Sequence, residues 1–548
     1  MSSENSDSLS GLRSERRNHC VRRFAWAVLF LGFLGIAGLP AAVDIQLGLN
    51  FTGSTSGVDV SANPADANGT IGPAHYVEFI NGRFAVYNKN TGARVLEKTD
   101  EAFWNAAGVT LPAGFSVSDP RLIFDPTVGR WFAAQIDYNT GSDNVANRFL
   151  LAVSTTADPT AAWRAVAFVP STNSFTDFPT LGINADAVLI SGLLFDLISG
   201  GAQGSVLVSI PKADLLKTTP TAANRTVFTP LPEATHGFIL QPAVRLDATA
   251  GDATVIAIPS GNVGTDLQTN LVRFTVHSAA AAGAATLSTP VPIPVPAFSV
   301  PINPPQPNNI ANLDDGDSRF SAVVCHVGNL LYAVHGNQIS NRAALQWYKL
   351  NAAAGTLLQS GTITDTNLHL FYPSIAANTN GQVVIAFNAC SPTTFVSSYA
   401  VAGDTVQGVT TFGPLVLLKA GVTTYNVPET DGTSRWGDYS AINVDPTDPS
   451  RFWTIQMVVT AINQWSTQIT ELRLVVRPAL SLTRTTNAAT LTLRWPATAA
   501  SFHLEANTNL ALPAAWTPFP QSPVTNAGNL SVTFPPTGIH QFFRLKSP

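Results

Sequence analysis

The sequence has little charge for its length of 548 residues. Asp, Glu, Lys and Arg make up 12% of it, about half the share found in an average soluble domain. This shortage disfavours a helical protein, because exposed helix faces are usually rich in Glu and Lys. A hydrophobic share of 45% disfavours a long disordered chain. The length exceeds one ordinary core, so we expect several units or a repeat array.

Cysteine and the usual catalytic motifs are also scarce. Only Cys20, Cys325 and Cys390 occur, and the last two suit either one disulfide in an oxidising compartment or two buried thiols in apolar runs. The nine histidines form no HxxxH or HExxH pattern, and neither a G-x-S-x-G elbow nor a phosphate-binding loop occurs. A net charge of −5 provides no basic face, so we expect no nucleic-acid partner.

The N-terminus has the pattern of a secretory signal peptide. A basic cluster within residues 13–23 precedes an apolar run at 24–39, and the small residues Pro40-Ala41-Ala42 follow. The apolar run is shorter than the ~20 residues of a membrane span. We therefore expect residues 1–42 to be a signal peptide and the protein to be secreted, periplasmic or on a bacterial cell surface. An uncleaved signal anchor is the alternative.

One short pattern recurs along the chain: Pro or Ser, any residue, an apolar residue, any residue, an apolar or small residue, then usually a polar turn residue. Its copies start at Pro73, Pro120, Pro179, Pro242, Ser321, Pro373 and Ser440. A turn and a second apolar run follow each copy, which predicts a strand–turn–strand unit. The spacing leaves room for four strands per unit, as in a propeller blade. We predict an all-β fold, with a β-propeller over residues 43–477 of seven blades, six being the alternative.

Three further segments complete the predicted architecture. Only one strand, at 464–476, follows the last repeat unit, so we expect residues 43–60 to add its missing outer strand and close the ring. The proline-rich segment 289–307 is expected to be an extended wrapping loop rather than a proline-rich ligand site. Short helices are expected near 100–106 and 212–217. The alternating strands after Pro478 predict a small immunoglobulin- or fibronectin-like β-sandwich at 478–548.

Several strings resemble a family of exported bacterial β-propeller proteins. They include SDPRLIFDPTVGRWF at 118–132, YPSIAANTNGQVVIAFN at 372–388 and SRWGDYSAINVDPTDPSRFWT at 434–454. The resemblance implies an architecture similar to that of sialidase-like and Asp-box propellers, in a family without a settled activity. The Phe-Arg-Ile-Pro motif and the full Asp-box turns of true sialidases are absent, so sialidase activity is not implied. The tail, with LEANTNL and QFFRL, resembles a C-terminal module of exported verrucomicrobial and planctomycetal proteins.

The residues just before each repeat start are the candidate site, because the first strand of each blade lines the channel of a propeller. Those noted for their position are Asp119, Asp177, Gln241, Arg319, Tyr372, Asp438 and Tyr439. The catalytic candidates are Asp119, Asp438 and Tyr439. The ligand-binding candidates are Arg319, Tyr372, Arg435, Trp436 and Asp438, with Trp436 for stacking and the charged groups for polar contacts. The alternative is that these side chains cap loops and connect blades.

Metal binding is the weakest of the predicted chemistries. Asp314, Asp315 and Asp317 form a loose cation loop, but they lack the terminal Glu of a 12-residue calcium loop, and a solvated turn is the preferred interpretation. Residues 66–69 are also interpreted as a turn. We predict no cofactor, with a structural Ca²⁺ as the alternative.

The favoured function is non-catalytic recognition of a glycan or another extracellular polymer by a monomer, with no membrane span after signal cleavage. One alternative is a sialidase-like glycoside hydrolase or polysaccharide lyase in the channel mouth, and another is a structural surface-layer protein. A deep polar funnel with paired acids would favour the enzyme. A shallow face with an aromatic rim would favour the binder.

Overall fold

The computed structural model describes residues 43–142, 144–260, 267–484, 490–509, 516–535 and 541–546. The predicted signal peptide lies outside them. Strands dominate the described residues and pair into mainly antiparallel groups that follow one another along the chain. The N-terminal strand is β1 (Val43–Thr55). The first group contains β2 (Asn68–Ile71), β3 (His75–Ile80), β4 (Arg83–Asn88) and β5 (Arg94–Lys98). The second contains β6 (Phe115–Asp125), β7 (Arg130–Asn139), β8 (Phe149–Ser154) and β9 (Trp163–Phe168).

The middle groups are joined through a short parallel strand. The third contains β10 (Ser174–Ile183), β11 (Ala187–Asp196), β12 (Ala202–Pro211) and β13 (Thr226–Leu231). The fourth contains β14 (Phe238–Pro242), β15 (Val244–Arg245), β16 (Ala253–Ile258), β17 (Gln268–His277), β18 (Thr286–Leu287) and β19 (Val291–Phe298). The fifth contains β20 (Cys325–Val327), β21 (Leu330–Ile339), β22 (Arg342–Asn351) and β23 (Thr356–Ile363). The two-residue strand β15 pairs in parallel with both β10 and β20.

The last two groups of the ring lie before residue 477. The sixth contains β24 (His369–Ala377), β25 (Val383–Ser391), β26 (Thr394–Val406), β27 (Val409–Phe412) and β28 (Val416–Lys419). The seventh contains β29 (Ala441–Asp445), β30 (Asp448–Ala461) and β31 (Gln464–Val476). The first strands of successive groups lie side by side, with β15 making the contact between the fourth and fifth groups, and β29 lies beside β2. The groups therefore close into a ring, and the fold is a β-propeller. One blade per group stays a prediction.

The N-terminal strand completes the seventh group. β1 pairs antiparallel with β31, from Val43 opposite Val476 to Thr55 opposite Ser466. The expectation that residues 43–60 supply the missing outer strand is thus confirmed. Hydrogen bonds between two segments that are distant in the chain therefore close the ring, with β1 as the outer strand of the closing sheet.

The repeat maps onto the first strands with one correction. The copies that start at Pro120 and Pro373, for example, lie on the first strands β6 and β24. The copy at Pro73 instead leads into β3, the second strand of its group. The first strand of that group is β2, and Asp66 precedes it. Residues 66–69 were interpreted as a simple turn. Asp66 instead lies near the start of the first strand of its group, as Asp119 and Asp177 do in the second and third groups.

Buried ion pairs connect neighbouring groups at the far ends of the first strands. Asp125 accepts hydrogen bonds from the backbone and hydroxyl of Thr127, and Lys212 Nζ of the next group lies 2.6 Å from its Oδ2. Asp445 ends β29 in the same way, with Lys89 Nζ 2.6 Å from its Oδ1. The scarce charge of this chain is thus used where a turn must be capped and two groups joined.

The C-terminal region has its own core and forms a β-sandwich of two sheets. One sheet contains β32 (Ser481–Arg484), β33 (Leu491–Pro496), β36 (Val524–Asn526) and β37 (Asn529–Phe534). The other contains β34 (His503–Asn507), β35 (Thr517–Pro518) and β38 (Phe542–Lys546). Trp495, Leu504 and Val532 are buried between them. Opposed sheets around one apolar layer are the arrangement that the alternating strands predicted.

Helices are few and short. α1 (Asp100–Ala106) is capped by the Thr99 hydroxyl, and α2 (Lys212–Leu215) lies where a helix was expected. α3 (Glu233–His236) was not predicted, and two single 3-10 turns occupy Pro307–Asn309 and Ala497–Ala499. No helix in the described ranges has the length and hydrophobicity to cross a membrane. Cys325 and Cys390 are both free thiols, so the disulfide alternative is not observed.

Candidate functional site

A recurrent bulge shapes the start of the first strands. Asp119, Phe178 and Tyr372 each precede a proline and each have a positive φ, of 61°, 49° and 45°. The strand register shifts at all three places. Left-handed backbone is uncommon outside glycine and is kept only where the surroundings enforce it. Because a bulge changes the direction of nearby side chains, it interrupts the strict alternation of the strand at the channel mouth.

Five of the predicted site residues line one pocket. Asp119, Asp177, Arg319, Arg435 and Asp438 border a cavity of about 710 Å³. Phe178 and Asp66 border it as well. These residues lie in or just before the first, second, third, fifth and seventh groups of strands. Only the closed ring brings them together. We call this cavity the polar pocket.

Ion pairs hold the two arginines of the polar pocket. Arg435 donates to both carboxylate oxygens of Asp438, at 2.8 and 3.0 Å, and also lies 3.4 Å from Asp314. Arg319 donates to both oxygens of Asp317, at 2.8 and 2.6 Å, and its guanidinium lies over the Phe178 ring. Bidentate pairs of this kind fix the planar guanidinium in one orientation. The alternative in which Arg435 pairs with a carboxylate is therefore observed, and the pair borders the pocket.

A hydrogen-bond chain joins the aspartates across the ring. Asp66 accepts from the backbone N–H of Asp438 at 2.9 Å and from Asn81 Nδ2 at 2.8 Å. Asn81 Oδ1 in turn accepts from the backbone N–H of Asp119 at 2.9 Å. Asp66 was missed as a site residue because its repeat copy was placed on the wrong strand. The sequence feature that could have identified it is an aspartate just before a short strand, comparable to Asp119 and Asp177 before their repeat copies.

Burial and mutual repulsion give the aspartates different proton affinities. Burial, together with the nearby Asp438 charge, raises the pKa of Asp66 to about 7. Burial and the charges of Asp177, Asp66 and Asp438 raise the pKa of Asp119 well above its ordinary value. Burial also acts on Asp438, but hydrogen bonds and charge from Arg435 outweigh it and lower the pKa of that carboxyl. The pocket thus places two carboxyls of raised pKa beside one of lowered pKa.

Tyr439 supports the pocket from behind and does not line it. Its hydroxyl donates to the Pro120 carbonyl at 3.2 Å, and its ring lies 3.6 Å from the Arg121 guanidinium. Arg121 also donates to the carbonyls of Pro179 and Ser321, at 2.7 and 2.9 Å. The catalytic candidacy of Tyr439 is therefore corrected to a supporting role. Arg121, which sequence reasoning missed, connects β6 with β10 and with the segment before β20, and it stacks on the tyrosine.

Trp436 is part of the core, so the prediction that it stacks on a ligand is wrong. The indole is 1% exposed, and its Nε1 donates to Asn388 Oδ1 at 3.1 Å. The Tyr425 ring packs edge-on against it, with 5.1 Å between centroids. The indole fills a gap between the sixth and seventh groups, which is the structural alternative considered for it.

A second, smaller cavity adjoins the polar pocket. It has a volume of about 260 Å³ and is bordered by Asp314, Asp315, Asp317 and Tyr372. Arg319, Arg435 and Asp438 border both cavities. In the part of the chain that the structure describes, no three His, Cys, Asp or Glu side chains are placed to hold a metal ion. The loop of three aspartates is instead bound by arginines at Asp314 and Asp317. We call this second cavity the aspartate cavity.

Comparisons with known proteins give only distant structural matches. No model of a known protein family matches the chain, and no curated protein sequence does. An alpha-L-arabinanase of Penicillium chrysogenum complexed with arabinobiose is similar, with 12% identity, a TM-score of 0.38 and coverage of 78% of this chain and 98% of that one. The polysaccharide lyase Uly1 has 8% identity and a TM-score of 0.36, covering 75% and 90%. A Trypanosoma rangeli sialidase has 12% identity and a TM-score of 0.34, covering 76% and 59%.

The fold and the site together define a class of protein. It is a β-propeller, closed by its N-terminal strand, with a charged pocket at the end of the channel where the first strands begin. At such low structural similarity, the neighbours carry no argument about activity.

Proposed function

We propose that this chain is an exported recognition protein that binds a glycan, or another hydroxyl-rich extracellular polymer, in the polar pocket. The observation that carries the proposal is the convergence of Asp66, Asp119, Asp177, Arg319, Arg435 and Asp438 on one cavity of about 710 Å³. Carboxylates and guanidinium groups are the acceptors and donors that sugar hydroxyls require. The volume lies within the range of small-molecule sites, and a few oriented polar groups provide specificity there.

Preorganisation supports binding in this pocket. The Arg435–Asp438 and Arg319–Asp317 pairs are bidentate, so these side chains are held before a ligand arrives. Binding then requires little additional ordering of long side chains, which is otherwise a large unfavourable contribution. The buried position of Trp436 moves the proposal away from aromatic stacking and towards polar contacts.

A glycan array followed by titration calorimetry tests the proposal. Asp438→Asn should weaken binding of any ligand found by about tenfold, the effect of losing one charged hydrogen bond, and Asp119→Asn should weaken it less, because the raised pKa of Asp119 reduces its charge. Asp404→Asn is the matched control, because it removes the same charge from a half-exposed residue that borders neither cavity. A blank array, or equal affinity in all three variants, would contradict the proposal.

Hydrolysis or elimination on a polysaccharide is the second candidate function, and a specific observation favours it. Asp66, whose pKa is raised to about 7, accepts a hydrogen bond from the backbone of Asp438, whose pKa is lowered. A protonated carboxyl beside an ionised one is the arrangement that separates a general acid from a base or nucleophile. Paired acids in a polar funnel are the feature that we expected of an enzyme rather than of a binding protein.

Turnover of a polysaccharide panel distinguishes the two candidates. If the pocket is catalytic, Asp438→Asn and Asp66→Asn should each reduce turnover by at least about a hundredfold, and the wild-type pH profile should be bell-shaped. If the protein binds a polysaccharide but turns over none of the panel, the catalytic proposal is contradicted and recognition remains as the function.

Export is the remaining part of the proposal. It rests on the basic and apolar pattern of residues 1–42. Expression in a bacterial host with an export pathway should yield a secreted or periplasmic protein whose N-terminus lies near Ala42. Retention of the intact N-terminus on the membrane would instead indicate the signal anchor.

A further inference from the structure

One carboxylate in the aspartate cavity has no cation, although its neighbours do. Asp317 is paired with Arg319, and Arg435 is paired with both Asp314 and Asp438. Asp315 also borders the cavity, is 3% exposed, and its Oδ2 has no hydrogen-bond partner. Buried carboxylates are normally hydrogen-bonded or paired. The Asp315 Oδ2 atom is therefore a hydrogen-bond acceptor without a partner within the protein.

A second unpartnered group lies in the same cavity. The Tyr372 hydroxyl is buried and has no hydrogen-bond partner, although a phenol can both donate and accept. It lies beside Gly316, 3.4 Å from the position that a Cβ would take there. The charges of Asp314, Asp315 and Asp438 all act on it, so it lies among the aspartates. Two independent polar groups of the cavity thus lack partners.

The loop that carries Asp315 is held in place by its surroundings. The backbone N–H of Asp314 donates to the Ser434 carbonyl at 3.0 Å, and that of Asp315 donates to Asn303 Oδ1 at 3.1 Å. The Ser318 hydroxyl donates to the Ser299 carbonyl at 3.0 Å. Asn303 and Ser299 belong to the proline-rich segment, which wraps against this loop as expected, although its residues Val291–Phe298 form the strand β19 rather than a loop. The Oδ2 atom of Asp315 is therefore part of a preorganised site rather than of a solvated turn.

The charges of the cavity favour a cationic ligand group. Four aspartates border it, whereas only two arginines do, and burial together with the charges of Asp314 and Asp317 raises the pKa of Asp315, so a nearby cation would favour its ionised form. No three side chains among the described residues are placed to hold a metal ion. An ammonium group needs only two or three oxygen acceptors within hydrogen-bond distance. Its positive charge would supply the cationic partner that Asp315 lacks.

We propose that the aspartate cavity binds a primary ammonium group of the ligand, through Asp315 and the Tyr372 hydroxyl. The ligand class is a glycan that contains a free amino sugar, and its neighbouring units occupy the polar pocket. The two cavities share Arg319, Arg435 and Asp438, which makes one ligand spanning both sterically reasonable. This inference rests on the proposed glycan-binding function and specifies its ligand.

A pair of oligosaccharides that differ only in the amine tests the inference. Glucosamine pentaose and N-acetylglucosamine pentaose are titrated into the full-length protein at about pH 6, where a free amine is largely protonated. Wild type should bind the glucosamine form at least about tenfold more tightly. Asp315→Asn should abolish this preference and Tyr372→Phe should reduce it, whereas Asp404→Asn should retain it.

Thermal unfolding distinguishes a binding role of Asp315 from a structural one. Because Oδ2 has no partner within the protein, Asp315→Asn should leave the Tm unchanged or raise it. A lower Tm together with an unchanged preference would overturn the inference. Equal binding of the two pentaoses, or binding of other glycans only, would also overturn it while leaving glycan recognition intact. A protein that binds no glycan at all would contradict both proposals.

Discussion

The two ends of the channel are built from the same first strands and have opposite chemistry. Where the strands begin, aspartates and arginines border the polar pocket. Where they end, Ile71, Val244, Ile375 and Ile442 border a mainly apolar cavity of about 250 Å³. In β6, β10 and β24, bulges interrupt the alternation at the first end, whereas the pairing of the same strands is regular at the second. The comparison indicates that the irregular end carries the chemistry and that the regular end holds the ring together.

The strongest test of this comparison removes a cation from the regular end. Lys89 pairs with the fully buried carboxylate of Asp445, which borders the apolar cavity. Lys89→Met should lower the free energy of unfolding by about 3–5 kcal/mol, because an uncompensated buried charge remains. Urea denaturation measures the change. Lys217→Met is the control, since the Lys217–Asp214 pair is half exposed on the lysine side and should contribute less than about 1 kcal/mol. If Lys89→Met changed the free energy of unfolding as little as Lys217→Met does, the stabilising role of the regular end would be contradicted.

The polar end should show itself in the pH dependence of stability. The pKa of Asp66 is about 7 in the folded protein and 3.8 as the ordinary value, so between these pH values the folded state keeps a proton that the unfolded chain has lost. The free energy of unfolding should therefore fall as the pH rises from about 4 to about 7, by at most about 4 kcal/mol from this residue. Asp66→Asn should flatten the decline, as measured by denaturation at several pH values. Parallel curves for the variant and wild type would contradict the assignment.

A conservative change at the regular end should alter stability alone. Ile375 is fully buried and borders the apolar cavity. Ile375→Val removes one methyl group and should lower the free energy of unfolding by about 1 kcal/mol. The affinity for any glycan bound at the other end should be unchanged in calorimetry. A loss of affinity would show that the two ends are not independent.

The smallest expected effect concerns the support behind the polar pocket. Tyr439→Phe removes the hydroxyl that donates to the Pro120 carbonyl and retains the ring that packs on Arg121. Stability should fall by about 0.5–1 kcal/mol, and ligand affinity or turnover should remain as in wild type. A large loss of turnover in this variant would restore Tyr439 as a catalytic residue.

Much of the site was predictable because position in the repeat is a local property. Asp119, Arg319, Arg435 and Asp438 were singled out by their place before a repeat start, and the ring brings them into one pocket. The same reasoning misplaced Trp436 and Tyr439, which flank the pocket residues in sequence. Whether a side chain at a bulge faces the channel or the space between groups depends on backbone dihedrals that the sequence pattern does not reveal.

The sequence by itself determined an all-β repeat fold and the strand that closes it. Alternating apolar residues and turn residues act over a few neighbours, so their spacing is sufficient for that inference. Only the tertiary structure decided that Asp66 joins the pocket, that Trp436 is core and that Asp315 lacks a cation. Each of these depends on groups from separate elements of the chain, up to 372 residues apart for Asp66 and Asp438, and burial and electrostatics act through space, where no local pattern records them.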